Sequence, residues 1–115
     1  MKYLLLIYAN EAAGAAISKA DMDQMMAAYG AYMEAMKQAG VFVGGNRLQS
    51  ANTASTVRVA NGKTQVLDGP YADTKEQLGG YFMIEAPDLD AALSWAGRCP
   101  GATYGSVEVR PIWTM

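Results

Sequence analysis

Histidine is absent from this 115-residue chain, and cysteine occurs once, at Cys99. Without an imidazole there is no His-based triad, no His–Asp dyad and no His-ligated metal. A single thiol cannot form an intrachain disulfide, which fits a reducing compartment. An idle buried thiol is the ordinary account of Cys99. The neighbouring Arg98 is the one feature pointing to a reactive thiolate, which needs a cationic setting. Charge is scarce as well: nine Lys/Arg against eleven Asp/Glu, net −2, with a pI of about 4.9. The cations are scattered singly, and no basic stripe is present to track a phosphate backbone. Nucleic acid is therefore excluded as the main partner. The apolar run KYLLLIY at 2–8 is too short to span a bilayer and lacks a cleavage pattern. A cytoplasmic protein without a membrane segment is expected. The acids are too dispersed to build an all-oxygen site, so neither a metal nor a cofactor is expected.

What is present is a chain that is 51% hydrophobic, enough to bury a core and long enough for one domain over 1–115. KYLLLIY reads as a central strand apolar on both faces. ANEAAGAAI (9–17) has no period and reads as a loop. Ser18 followed by Asp21 marks a helix start. Met22, Met25, Met26, Tyr29, Tyr32, Met33 and Met36 then recur every three or four residues, predicting a helix over 20–39 that Gly40 ends. VFVGGNRL (41–48) is a strand, with Gly44 and Gly45 marking a bulge or a close backbone approach. STVRVANGKTQVLD (55–68) is a hairpin turning at Asn61-Gly62. GYFMIE (80–85) is a strand. A helix capped by Asp88 follows, ended by Pro100. GSVEVRPI (105–112) is the last strand.

With the hairpin set aside, the order is βαββαβ, the ferredoxin-like α+β pattern. Two helices cover one sheet face. The other carries Tyr81, Met83 and Glu85, while Phe82 and Ile84 point inward. An uncovered face of this kind invites a second copy, so a homodimer with facing sheets is expected.

The candidate site residues come from VLDGPYADTKEQLGGYFMIE (66–85). Asp68-Gly69-Pro70-Tyr71 is a turn by composition, and it can also hold Asp68 and Tyr71 at a cleft mouth. Thr74-Lys75-Glu76-Gln77 is either a solvated run or single helical turn, or a place where Lys75 meets an anion with Asp68 or Glu76 holding the lysine. Gly79-Gly80 leaves room for a ligand or forms a bulge. Arg47 is a surface arginine by default, or forks onto a carboxylate, either the ligand's or that of Asp68. The Met stripe is core by default. If part of it lines a pocket, the ligand is apolar or aromatic, with Tyr29 and Tyr32 supplying hydroxyls.

The segment DGPYADTKEQLGGYFMIE resembles the DGPF signature of the YCII-related proteins, with Tyr71 in place of the phenylalanine. MKYLLLIY, GVFVGGNRLQ, ASTVRV, DLDAALSWAGRCP and SVEVRPI agree with that family in type and order, from Met1 to about Ile112. The resemblance implies a ferredoxin-like fold pairing into a dimeric α+β barrel, with a cleft near the strand ends and the first helix. It also implies possible enzymes, since some members carry a His–Asp pair and one is a dehydrochlorinase of chlorinated hydroxyquinols. Members of the DGPF branch are often encoded beside extracytoplasmic-function sigma factors. The family histidine falls at Tyr29, eleven residues before Gly40. Tyrosine is a poor base at neutral pH, so that chemistry does not carry over.

Three functions follow. The first is a small-molecule binding module with a regulatory role, taking an anionic or aromatic metabolite near the DGPY motif through Arg47, Tyr71, Lys75 and Glu76. The second is an enzyme using Asp68 as acid or base, aided by Tyr29 and Lys75, on a small cyclic or aromatic substrate. The third is an interaction partner of a sigma factor, by family analogy.

Overall fold

The computed structural model describes residues 1–114. Strand β1 (Lys2–Ala9) is followed by the short helix α1 (Glu11–Ala15) and the long helix α2 (Lys19–Gln38). Then come β2 (Phe42–Arg47), a 3₁₀ turn at Ala51–Thr53, the hairpin β3 (Ser55–Ala60) and β4 (Lys63–Asp68), and β5 (Gln77–Glu85). Helices α3 (Leu89–Arg98) and α4 (Gly101–Tyr104) precede β6 (Ser106–Pro111).

The main sheet is antiparallel throughout, in the order β2-β5-β1-β6. Without the hairpin this is the strand order of a ferredoxin-like α+β fold. The hairpin forms a separate two-stranded sheet. It turns at Asn61 and Gly62, with φ of 52° and 74°, the geometry that a type I′ turn demands.

Local chemistry explains the helix ends. The Ser18 side chain accepts the Asp21 N–H at 3.1 Å, and Asp88 accepts the Ala91 N–H at 2.9 Å. Both satisfy free donors at a helix start. Past α2, Gly40 adopts a φ of 73°. Its N–H bonds Lys37 O, and the N–H of Val41 bonds Met36 O. This paired closure needs a left-handed residue, which glycine supplies at least cost.

The core lies between one sheet face and α2 and α3. Tyr3, Leu5, Phe82 and Ile84 meet Tyr32, Met36, Ala92, Ala96 and Cys99, all buried. Tyr32 donates its hydroxyl to Trp95 O at 2.7 Å, tying α2 to α3. Leu4, Leu6, Tyr81 and Met83 alternate onto the opposite face and are half-buried.

Several sequence expectations need correction. Residues 9–17 are not all loop, because α1 forms there. The Asn10 side chain caps it by accepting the Ala13 N–H at 2.9 Å, and one turn and a half is too short to show a period. Helix α4 was likewise unforeseen. The strand expected at 80–85 begins at Gln77, so Gln77 is not part of a polar helical turn. It is locked in place instead: its side chain accepts from the Glu11 N–H and donates to Thr74 O. The expected bulges exist, with register shifts between Phe42 and Gly44 and between Ile7 and Tyr8 opposite the Gly79-Gly80 pair. The Met stripe is core only in its second half. Met36 is fully buried, whereas Met26 is 40% exposed.

Candidate functional site

The cleft arises from side chains that are missing. On the helix-facing side of the sheet, Tyr3 lies opposite Ile84, Leu5 opposite Phe82 and Ile7 opposite Gly80. On the next strand, Gly45 lies opposite Phe82 and Arg47 opposite Gly80. Two of the inward positions at this end are therefore glycines. Met25 and Met26, in the first half of α2, face these two positions across open space. A hollow of about 490 Å³ remains between Ile7 and Phe82 on the sheet and Met25, Met26, Tyr29 and Met33 on the helix. Arg47 and Asn46 stand at its rim.

The glycines are a packing requirement. A Cβ on Gly45 would lie 2.5 Å from the Phe82 ring and 2.7 Å from Tyr81 O. On Gly80 it would lie 2.9 Å from Asn46 O. Glycine lets β2 and β5 sit close while Phe82 folds inward, and the same absence of side chain opens the cleft.

The polar groups are few and distinct. The Tyr29 ring leans on Phe82 at 6.3 Å, and its hydroxyl accepts from the Cys99 thiol at 3.9 Å. Burial pushes the Tyr29 phenol well above its ordinary value, and Cys99 adds to that shift. Gly101 and the Arg47 guanidinium oppose it. Burial also raises the Cys99 thiol. Both groups hold their protons at neutral pH, so neither is a base or a nucleophile there. Among the described residues no carboxylate lines the hollow. Among the described residues the ion pairs are the N-terminus with Glu85 and Arg110 with Glu108. Among the described residues the exposed Arg47 guanidinium forms no ion pair.

The residues singled out in the sequence fall into separate groups. Tyr29 and Arg47 share the α2 cleft. Tyr71 does not: with Pro70, it lines a second hollow of about 830 Å³, floored by Tyr8 and Leu78 and walled by Leu48 and Val57. Tyr71 is 81% exposed there, with the Arg58 guanidinium 5.8 Å from its ring centroid. Lys75 and Glu76 border a third, shallow surface with Ser106. Glu76 accepts the Ser106 hydroxyl at 2.8 Å.

Asp68 ends β4 opposite Ser55, exposed, and lines none of these hollows. It forms no ion pair with Arg47 among the described residues. The turn itself is anchored through Gly69, whose φ is 110°. The Gly69 N–H bonds Ala54 O at 2.7 Å, and its carbonyl accepts from the Thr56 hydroxyl at 2.9 Å. DGPY thus fastens the hairpin root. Ile7 and Phe82 complete the cleft beyond the candidates named from the sequence. Their signal was the alternation of β1 and β5, which sets them beside the glycines.

A family model of the YCII-related domain matches residues 1–115. An uncharacterized protein of Rhizobium meliloti (strain 1021) is 38% identical over 114 residues, covering 97% of this chain and 92% of the relative. With the strand order and the DGPY–TKEQLGG segment, these matches place the chain in the YCII-related family.

Proposed function

We propose that this protein binds a small amphipathic anion in the α2 cleft: a carboxylate or phenolate head on an aromatic or aliphatic body. The observation that carries the reading is an apolar hollow that has, among the described residues, a guanidinium without an ion pair at its rim and no carboxylate in its lining. Its volume suits a small ligand. Arg47 would fork onto the anionic head, since a planar guanidinium matches a carboxylate. Met25, Met26 and Met33 would adapt to the body, as unbranched thioethers do. Tyr29 would stay neutral and offer its hydroxyl.

Binding without turnover is the favoured form, because among the described residues the lining holds no carboxylate, and burial keeps the Tyr29 phenol neutral. A receptor that leaves its ligand intact suits a regulatory role. Asp68 lies outside this lining, so no observation favours it as the acid or base of an enzyme. We also propose that two copies pair through the uncovered sheet face, giving the dimeric α+β barrel. Leu4, Leu6, Tyr8, Tyr81 and Met83 supply its apolar surface.

The test is a titration of labelled protein with benzoate, salicylate, phenylacetate and hexanoate, followed by amide NMR. The expected response is a saturable shift at Arg47, Gly80 and Tyr29. A panel that leaves those amides unmoved ends the binding reading. Light scattering after size exclusion tests the pairing separately.

A further inference from the structure

We infer that the β3–β4 hairpin is a clasp for a second copy of this chain, laying its valine face on the partner's uncovered sheet. This deepens the pairing proposed above and rests on it. The ladder sets Val57 opposite Val66 and Val59 opposite Thr64. Val57, Val59 and Val66 therefore share one face, since directly opposed residues do. They are 58%, 68% and 63% exposed. Arg58, Gln65, Lys63 and Thr56 share the other face, polar except for Ala60 and for Leu67 at the hairpin root. This is the alternation of a half-buried ribbon, yet among the described residues its valines remain exposed. The hairpin pairs with no strand of the main sheet, and its residues are exposed apart from Thr56. A lone two-stranded ribbon is marginal in water.

The molecule's shape agrees. It measures 48 × 43 × 18 Å with a radius of gyration of 16.1 Å, against about 13 Å for a compact chain of about 100 residues. Thickness is that of one sheet and one helix layer, and the hairpin adds span without adding depth. The occupant is a second copy because each surface supplies what the other lacks. The sheet face needs a cover and the ribbon needs a floor, and one two-fold axis satisfies both at once. The surfaces are also continuous: Val57 of the ribbon and Tyr8 and Leu78 of the sheet border the same hollow of about 830 Å³. A stable dimer needs about 800 Å² from each partner. Three valines cannot expose that much, so ribbon and sheet must contribute together.

The test measures dimer dissociation by sedimentation and hairpin amide exchange at high and low protein concentration. Val59→Lys and Val66→Lys sit at exposed positions of one chain, so its fold should survive. Each should weaken the dimer at least tenfold. Gln65→Lys, on the polar face, should leave it unchanged. Amides of 57–66 should exchange slowly in concentrated wild type and lose protection on dilution. A dimer indifferent to both valine variants, with hairpin amides equally fast at both concentrations, overturns the clasp and leaves sheet pairing standing. A wild type that stays monomeric at high concentration overturns both.

Discussion

Arg47 lies opposite Gly80 across the β2–β5 ladder, so a charged side chain and an empty position share one cross-strand pair. The arginine reaches the rim while the glycine leaves the floor open beneath Tyr29. Charge and cavity at this site come from the same register, and a slip by one residue would send both to the other face.

Arg47→Ala should reduce affinity for an aryl carboxylate by roughly tenfold or more, since a hydrogen bond to a charged group contributes about 1.5–3 kcal/mol. The urea midpoint should hardly move, because the side chain is exposed and, among the described residues, forms no ion pair. Calorimetric titration beside a denaturation curve checks both. Equal affinity in the variant would remove Arg47 from the site.

The two adjacent glycines of β5 should respond differently to alanine. At Gly80 the new methyl meets Asn46 O at 2.9 Å, whereas at Gly79 its nearest neighbour is Ile7 O at 3.9 Å. Gly80→Ala should cost about 1–3 kcal/mol through overpacking against backbone. Gly79→Ala should stay within about 0.5 kcal/mol. Urea unfolding of the pair decides whether the close approach of β2 and β5 is a real constraint.

The Met stripe should divide in the same way. Met36 is fully buried and Met26 is 40% exposed at the cleft. Met36→Ala should cost about 2–5 kcal/mol. Met26→Ala should cost under about 0.5 kcal/mol yet weaken an apolar ligand. Matching stability losses at the two positions would contradict the division of α2 into a packed half and a cleft half.

Stability should fall in alkali. Burial raises Cys99 above its ordinary 9.0 and Tyr29 above 10.0, favouring the neutral form of each in the fold. Above those values the unfolded chain has released protons that the native state still holds, so stability drops as pH rises. The contribution is fully present below about pH 8 and lost progressively beyond about pH 9. Urea midpoints taken between about pH 7 and pH 10.5 should decline, and Tyr29→Phe should flatten the upper part of that decline. A midpoint that is level across this range would place both groups in water.

The residues themselves determined the two main helices, the hairpin turn, the bulges and the inward alternation of Phe82 and Ile84. Each rests on local chemistry: Ser18 and Asp88 as caps, Gly40 as a stop, Asn61-Gly62 as a turn, and period-two burial along β5. Helix α1 escaped because five residues show no period, although Asn10 was there to cap it. The site was legible only in part. Tyr29 and Arg47 were named from helix phase and strand end, but their meeting depends on which strands lie side by side. Asp68 belongs with them only through the DGPY motif, which the family resemblance sets at a cleft mouth. Tertiary structure decided otherwise, since the hairpin pairs only with itself and carries Asp68 to its own root. Local patterns are set by neighbours a few residues apart. A cleft is set by strand order and register, which depend on contacts between residues far apart in the chain.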